Sequence, residues 1–122
     1  MNETEVKIFK LVKAELTDEL IPKRYRGLVN NRFCGHCHHA SLAMYNLLGG
    51  NEAGYKLKKA IDEKEIPHYW LVNSSNEIID PTAEQYSELG RPFPYVQEKG
   101  ERPSYRKSNA TKKIISNVQG KL

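Results

Sequence analysis

The N-terminal segment has the hydrophobic pattern of an amphipathic helix. Its apolar residues lie three or four positions apart, as one face of a helix requires: Phe9, Val12, Leu16 and Leu20. Asn2 followed by Glu5 has the spacing of a capping box, in which the two residues satisfy each other's backbone N–H groups. Pro22 is incompatible with a helix interior, so we expect the helix to end before it.

A second helix is predicted after residue 36, with a well-defined end. Its apolar residues follow the same helical spacing: Ala40, Ala43, Met44, Leu47 and Leu48. Gly49 and Gly50 form a strong stop signal. Extending the apolar face back by one turn reaches Cys37, which should therefore lie at the N-terminus of a buried helix, on its inward face.

The middle of the chain changes to the pattern of strands. Residues 54 to 61 alternate weakly between apolar and polar, and a short helix is the alternative. Residues 66 to 72 are rich in aromatic and branched side chains and predict a strand. Residues 73 to 76 have turn composition, residues 77 to 80 form the returning strand, and Pro81 ends it. Together these segments predict a hairpin.

The remaining segments are loops and one further helix. Residues 22 to 33 carry a basic cluster and the pair Asn30-Asn31, and residues 91 to 105 are rich in proline, so we expect loops in both places. Residues 106 to 118 predict a short basic helix with Ile114 and Val118 on its apolar side.

The predicted fold class is α+β. A central helix packs against a small antiparallel sheet, with an additional helix at each end. The 122 residues fit a single domain over residues 1 to 122. Its core would span about residues 28 to 90, followed by the proline-rich loop and the basic C-terminal helix.

Composition and charge narrow the classes of function. A hydrophobic fraction of 39% and a charged fraction of 28% are typical of soluble globular proteins. No apolar run approaches the roughly 20 residues of a membrane-spanning helix, and the N-terminus lacks the apolar stretch of a secretory signal. We therefore expect a cytoplasmic protein without a membrane partner. The net charge of +4 indicates an ordinary solvated surface, and the alternative is contact with nucleic acid through the basic C-terminal segment.

The segment Cys34-Gly35-His36-Cys37 carries the strongest chemical signal. A cysteine is a nucleophile as a thiolate, which a helix N-terminus and an adjacent imidazole both stabilise. Cys37 has the helix position, and His68, at the start of a core strand, is the best candidate for the base. Asp80 ends the neighbouring strand and would orient the imidazole. A hairpin loop of three or five residues places His68 and Asp80 directly opposite each other, and a four-residue loop makes them diagonal.

The order of these residues resembles the transglutaminase-like branch of the papain-like superfamily. The matching positions are Cys37 at a helix start, His68-Tyr69-Trp70 on a strand and Asp80-Pro81-Thr82 after the next strand. The likeness covers about residues 34 to 86. It implies a papain-like or transglutaminase-like core and a Cys-His-Asp triad without a cofactor. The implied reaction is acyl transfer on an amide of a protein or peptide substrate, as in a protease, a deamidase or a transglutaminase.

Further resemblances favour Cys37 over Cys34 as the nucleophile. Cys34-Gly35-His36-Cys37-His38 is similar to the Cys-Gly-Ser-Cys-Trp of papain-like proteases, where the second cysteine reacts, and residues 37 to 43 resemble the leader-peptide proteases of lasso-peptide pathways. Residues 33 to 115 resemble a group of short phage and bacterial proteins, a likeness that implies no particular activity. This chain is shorter than most members of the enzyme families, and it has His38 where many have a tryptophan.

Other residues are assigned to the site with less specific signals. Papain-like proteases place a side-chain amide six residues before the nucleophile, as an oxyanion donor beside the backbone N–H of Cys37. Here that position is Asn31, and a simple turn at Asn30-Asn31 is the alternative. His36, His38 and Trp70 are expected as neighbours of the substrate.

Two alternatives involve no catalysis. Cys34 and Cys37 have the spacing of zinc ligands, and His68 would add a third, although no second pair of cysteines or histidines completes the pattern. The other alternative is a module that binds a host factor or nucleic acid through its basic C-terminal helix.

Overall fold

The computed structural model describes residues 1–28, 31–95 and 100–122, which form an α+β fold with four helices and one antiparallel sheet. The predicted fold class is confirmed at this level. The helices are α1 (Glu3–Ala14), α2 (Cys37–Leu47), α3 (Glu84–Ser87) and α4 (Asn109–Gln119). The strands are β1 (Lys56–Ile61), β2 (Pro67–Val72), β3 (Ile78–Ile79) and β4 (Gly100–Glu101). Val29 and Asn30 of the first predicted loop, and residues 96 to 99 of the second, lie outside the described residues.

Helix α1 begins as its sequence predicts but ends earlier. The Asn2 side chain accepts a hydrogen bond from the Glu5 N–H at 2.8 Å, and the Glu5 carboxylate accepts one from the Asn2 N–H at 2.8 Å, which completes the capping box. The helix ends at Ala14, and the chain then forms a 3-10 turn at Asp18–Leu20. The helical spacing of apolar residues continues to Leu20 because a 3-10 turn has nearly the same periodicity.

Helix α2 has the bounds that the apolar pattern predicts. It begins at Cys37 and ends at Leu47, before two glycines with positive φ, Gly49 at 101° and Gly50 at 64°. The helix packs against α1, α4 and the sheet, and Leu42, Ala43 and Met44 are completely buried. α2 is therefore the central helix of the fold, in contact with both longer helices and with the sheet.

The sheet has the strand order β3-β2-β1-β4, so the long strands β1 and β2 form its centre. Of the two alternatives for residues 54 to 61, the strand is therefore correct, beginning at Lys56. Leu57, Tyr69 and Leu71 lie on the sheet face that packs against α2. Ala60 and Trp70 lie on the opposite face, where Tyr95 packs against them. His68 has the same strand parity as Trp70 and belongs to that second face.

Two short elements that the hydrophobic pattern does not predict complete the fold. Helix α3 has four residues, and β4 pairs Gly100 with Ala60 and Glu101 with Lys59 at the edge of the sheet. Elements this short contain no full period of an apolar pattern. The expectation of an unbroken loop over residues 91 to 105 is therefore corrected by β4.

Helix α4 covers most of the segment predicted for it. Ser108 is its N-cap, with Oγ accepting from the Thr111 N–H at 3.2 Å, and the apolar residues Ile114 and Val118 are completely buried against α2. No helix in the part of the chain that the structure describes has the length and apolar character needed to cross a membrane.

Candidate active site

Cys37 is the first residue of α2, and the turn before it depends on a glycine. Gly35 has φ +86°, and a Cβ at this position would lie 2.6 Å from Cγ2 of Ile21. The half-buried Cys37 thiol points to the start of β2, with Sγ 3.7 Å from the Pro67 carbonyl oxygen. The N-cap residue His36 makes no capping bond with its side chain. The first N–H groups of α2 are thus open to another acceptor.

His68 and Asp80 form a short, buried hydrogen bond. His68 Nε2 lies 2.6 Å from Asp80 Oδ2, and the His68 ring is completely buried. The register pairs Leu71 with Ile79 and Val72 with Ile78, across a loop of residues 73 to 77. Asp80 is therefore offset by two positions from the point opposite His68. The expectation that this five-residue loop would place them directly opposite is wrong, but both side chains lie on one face and still meet.

The charge state of His68 depends on both of its neighbours in the predicted triad. Burial alone lowers the pKa of His68. The negative charge of Asp80 and its hydrogen bond raise it, and Cys37 adds smaller effects of the same two kinds, so that the pKa is about 10. Because Nε2 is bound to Asp80, Nδ1 is the nitrogen left for a proton from Cys37. Asp80 also selects this tautomer, since its carboxylate can only accept a hydrogen bond.

Tyr95 is a partner of Asp80 that the sequence analysis missed. Its hydroxyl donates to Asp80 Oδ2 at 2.5 Å, while Oδ1 accepts from the Thr82 N–H at 3.0 Å and from the Thr82 hydroxyl at 3.3 Å. The Tyr95 ring packs on Trp70 with centroids 4.9 Å apart. Asp80 is thus held by several donors besides His68. An aromatic residue in a proline-rich loop carries no local signal of this role.

Gln85 is the second residue that the sequence analysis missed. Its side chain is buried, and Nε2 lies 3.3 Å from His68 Nδ1, the nitrogen that faces away from Asp80. Gln85 Nε2 also lies 3.2 Å from the Thr82 hydroxyl and 3.3 Å from the Thr82 carbonyl oxygen. The only signal available was its place at the end of Asp-Pro-Thr-Ala-Glu-Gln, in the resemblance to the phage and bacterial proteins.

Contacts from distant parts of the chain hold the Gln85 segment in place. Lys13 of α1 forms an ion pair with Glu84 and donates to the Pro81 carbonyl oxygen at 3.2 Å. Arg91 donates to the Gln85 carbonyl oxygen at 3.3 Å. The Tyr86 ring meets the His68 ring edge-on, with centroids 4.7 Å apart. The short helix α3 therefore presents Gln85 and Tyr86 to His68 from a fixed position.

Asn31 does not reach the nucleophile. Its Nδ2 donates to the Glu84 carbonyl oxygen at 3.3 Å and to the Glu88 carboxylate at 3.1 Å, while Oδ1 accepts from the Phe33 N–H at 3.0 Å. Both N–H groups of the amide are thus directed to α3. The assignment of Asn31 as an oxyanion donor is corrected, because its amide donates to Glu84 and Glu88 and does not line the cavity at Cys37.

Of the three expected neighbours of the substrate, only His38 lines the cavity at Cys37. Trp70 is almost completely buried beneath Tyr95. His36 is buried and pairs with His39, with His36 Nδ1 2.7 Å from His39 Nε2. Burial lowers the pKa of His36 to about 4 and that of His39 to about 3, so both rings are neutral near pH 7. The assignments of His36 and Trp70 are corrected by this burial.

A cavity of about 320 Å³ opens in front of the Cys37 thiol. Gln85 forms part of its wall, and so do residues from four other segments: Arg24, His38, Lys59 and Tyr69. A larger cavity of about 780 Å³ lies elsewhere and has Asn31 and Cys34 in its wall, but Cys37, His68 and Gln85 are absent from it. We place the candidate site at the smaller cavity because it alone of these two is lined by Cys37 and by Gln85, which contacts His68.

The alternative metal site is not assembled in the described part of the chain. Among residues 1–28, 31–95 and 100–122, no group of three or more His, Cys, Asp or Glu side chains is arranged to hold a metal ion. Cys34 is buried with its Sγ 3.8 Å from the Tyr25 carbonyl oxygen, whereas Cys37 lies at Pro67. The set of Cys34, Cys37 and His68 therefore does not converge.

Comparison with known proteins gives no relative from which a function could be inferred, so the function must be inferred from the geometry of the site. No protein-family model, no curated protein and no solved structure matches the chain.

Proposed function

We propose that the protein is a thiol enzyme that transfers the acyl group of an amide, with Cys37 as nucleophile, His68 as base and Asp80 as the residue that orients the base. One observation carries this proposal. The buried His68 ring binds Asp80 through Nε2 at 2.6 Å, and its other nitrogen, Nδ1, faces Gln85, which lines the same cavity as the Cys37 thiol. This order of nucleophile, imidazole and carboxylate is the arrangement that activates a thiol for acyl transfer.

Acylation would begin from the ion pair of a Cys37 thiolate with a protonated His68, a state that the raised pKa of His68, about 10, favours near pH 7. The thiolate attacks the carbon of the substrate carboxamide, so that a C–S bond forms and the carbonyl oxygen becomes an oxyanion. When the carbonyl re-forms, the C–N bond breaks and the nitrogen takes the proton from Nδ1 as it leaves. The products of this half-reaction are an amine, or ammonia, and a thioester on Cys37.

Deacylation would return the enzyme to its starting state. A water molecule, or an amine, attacks the thioester carbon while His68 Nδ1 accepts a proton from it. The C–S bond then breaks and restores the Cys37 thiolate beside protonated His68. Water gives a carboxylate and an amine gives a new amide, so proteolysis, deamidation and transamidation all use the same residues. Asp80 keeps Nε2 protonated throughout.

The oxyanion would be bound by the backbone N–H of Cys37 and by the side chain of Gln85. The first turn of α2 has no side-chain cap, and its N–H groups and helix dipole favour a negative charge. Gln85 Nε2 donates to His68 Nδ1 only while that nitrogen is unprotonated. When Nδ1 is protonated, Gln85 Nε2 donates only to Thr82, and the oxyanion would compete with the two long Thr82 contacts, at 3.2 and 3.3 Å, for one of its two N–H groups.

The fold is consistent with a papain-like or transglutaminase-like core, which is part of the same proposal. What supports it is the combination of a cysteine at the start of the central helix with His68 at the start of the adjacent strand. The extra helices α1 and α4 pack on α2.

Reaction with p-nitrophenyl acetate tests this proposal directly. We expect a burst of p-nitrophenol and an acetyl adduct that peptide mapping assigns to Cys37. Cys34→Ala is the matched control because it removes the other thiol of the chain, and we expect the burst to persist. Cys37→Ala should abolish the burst, and Asp80→Asn should lower its rate by about 10²-fold or more because the imidazole is no longer oriented.

The wild-type protein by itself can contradict the proposal. If Cys37 is acetylated no faster than Cys34 in unfolded protein, the thiol is not activated and the triad has no catalytic role. This comparison requires no variant to fold.

A further inference from the structure

The charges around the Cys37 cavity have a single sign. Arg24 and Lys59 form part of its wall, and no aspartate or glutamate does so among the described residues. A second cavity of about 480 Å³ is lined by Arg106, Lys107 and Lys112, again without a carboxylate. The two cavities adjoin, because they share four wall residues: Arg24, His38, Ser104 and Ser108. We call the surface formed by the five Arg and Lys residues the cationic groove.

These positive charges are not neutralised by the protein itself. In residues 1–28, 31–95 and 100–122, none of the five Arg and Lys side chains forms an ion pair, whereas other cations, such as Lys13 and Arg91, do. Arg24 and Lys59 lie over the rings of Tyr25 and Tyr69. A groove lined by one sign of charge concentrates ligands of the opposite sign. The groove leads to the thiol, so its ligand would extend to Cys37.

We propose that the cationic groove binds an acidic polypeptide segment and presents one of its amides to Cys37. This inference rests on the proposed function, because it names the substrate class of that site. A polypeptide supplies both the carboxylates that match the five cations and the carboxamide that the thiol attacks. Single-stranded nucleic acid carries matching charge but is bound by stacking of successive bases on aromatic rings, and His38 is the one aromatic ring among the described residues in the wall of the outer cavity.

The test is binding of labelled peptides to the Cys37→Ala protein, measured by fluorescence anisotropy. The first peptide has a central glutamine flanked by glutamates, and the second has serines in place of the glutamates. We expect the acidic peptide to bind more tightly, and its affinity to fall with added salt. Replacing Arg106, Lys107 and Lys112 with glutamine should weaken its binding about tenfold, since each exposed charge contributes a fraction of the total.

The matched control removes the same number of charges elsewhere. Lys7, Lys10 and Lys64 are exposed and outside both cavities, and their replacement with glutamine should change the affinity less than twofold. Equal weakening by the two triple variants overturns the inference, because binding would then follow net charge alone. Tighter binding of a labelled oligothymidylate of equal charge also overturns it, in favour of nucleic acid.

The two proposals fail in different experiments. If p-nitrophenyl acetate acetylates wild-type Cys37 rapidly but the protein does not bind the acidic peptide in preference to the serine peptide, only the substrate class is overturned. If the protein binds the acidic peptide selectively but Cys37 is acetylated no faster than a cysteine in unfolded protein, only the proposed reaction is overturned.

Discussion

The Tyr95 hydroxyl and the His68 ring share one carboxylate oxygen of Asp80. Tyr95 donates to Oδ2 at 2.5 Å, and His68 Nε2 lies 2.6 Å from the same atom. A second donor on Oδ2 spreads the negative charge of the carboxylate and weakens its hold on the imidazole proton. Tyr95 therefore limits how strongly Asp80 raises the pKa of His68.

We expect Tyr95→Phe to raise the pKa of His68 further, because the whole charge of Oδ2 then acts on the imidazolium. The phenylalanine ring can keep the packing on Trp70, so the change removes mainly the hydrogen bond. Titration of the His68 ring nitrogens by NMR measures the pKa. Urea unfolding should show a loss of about 1.5–3 kcal/mol, as for other hydrogen bonds to charged groups.

Tyr55→Phe is the matched control for Tyr95→Phe. The Tyr55 hydroxyl donates to the buried carboxylate of Glu5 at 2.7 Å, on the sheet face that packs on α2, whereas His68 belongs to the opposite face. We expect a similar loss of stability and an unchanged His68 titration. A lower pKa of His68 in Tyr95→Phe would contradict the role given to Tyr95.

Gln85→Met tests the oxyanion donor. Methionine has nearly the same length but donates no hydrogen bond, so acetylation of Cys37 by p-nitrophenyl acetate should slow by about 10²-fold. Alkylation by iodoacetamide forms no oxyanion and should change by less than about threefold. Asn31→Ala is the control, because its amide binds α3, and we expect acetylation to persist. Equal losses in both reactions of Gln85→Met would show that Gln85 supports only the fold.

Gly35→Ala should destabilise the protein more than Gly27→Ala. Both glycines have positive φ, +86° and +77°, so both substitutions strain the backbone. A Cβ at Gly35 also lies 2.6 Å from Ile21 Cγ2, whereas one at Gly27 meets nothing within 4 Å. We expect the additional overpacking to cost about 1–3 kcal/mol in urea unfolding. Equal losses would mean that the turn before Cys37 adjusts freely.

The free energy of unfolding should fall between pH 7 and pH 5 because of His36 and His39. Both pKa values, about 4 and about 3, lie below the ordinary value of 6.5. As the pH drops through 6.5, the unfolded chain gains protons that the folded protein excludes. The loss is about 2 kcal/mol per histidine over this interval, and the raised pKa of His68 opposes it by a smaller amount.

Urea unfolding at both pH values measures this loss, with His36→Asn and His39→Gln combined as the comparison. Each replacement keeps a polar group near the bonded ring nitrogen but does not titrate. We expect the combined variant to lose most of the pH dependence. If the free energy of unfolding of the wild-type protein is the same at pH 7 and pH 5, protonation of His36 and His39 does not destabilise the folded protein, which contradicts the prediction.

The amino-acid sequence by itself determined the elements whose signals are local. The apolar repeat and the glycine pair after Leu48 predicted α2 with Cys37 at its first position, and the aromatic and branched residues before the turn at residues 73 to 76 predicted the β2–β3 hairpin. The capping box of α1 was also predicted, since its two residues are three positions apart. Such features depend on residues that are only a few positions apart in the sequence.

Tertiary structure alone decided which side chains meet at the site. The offset between His68 and Asp80 follows from a strand register that buries both faces of the sheet, and loop length does not set it. Gln85 reaches His68 because Lys13 fixes the segment around it from 68 residues away, and because Arg91 ties that segment to Asp62, 29 residues away. For the same reason the amide of Asn31, at the expected distance in sequence from Cys37, binds α3. Hydrogen bonds between distant segments leave no periodic trace in a sequence, so only packing could assign them.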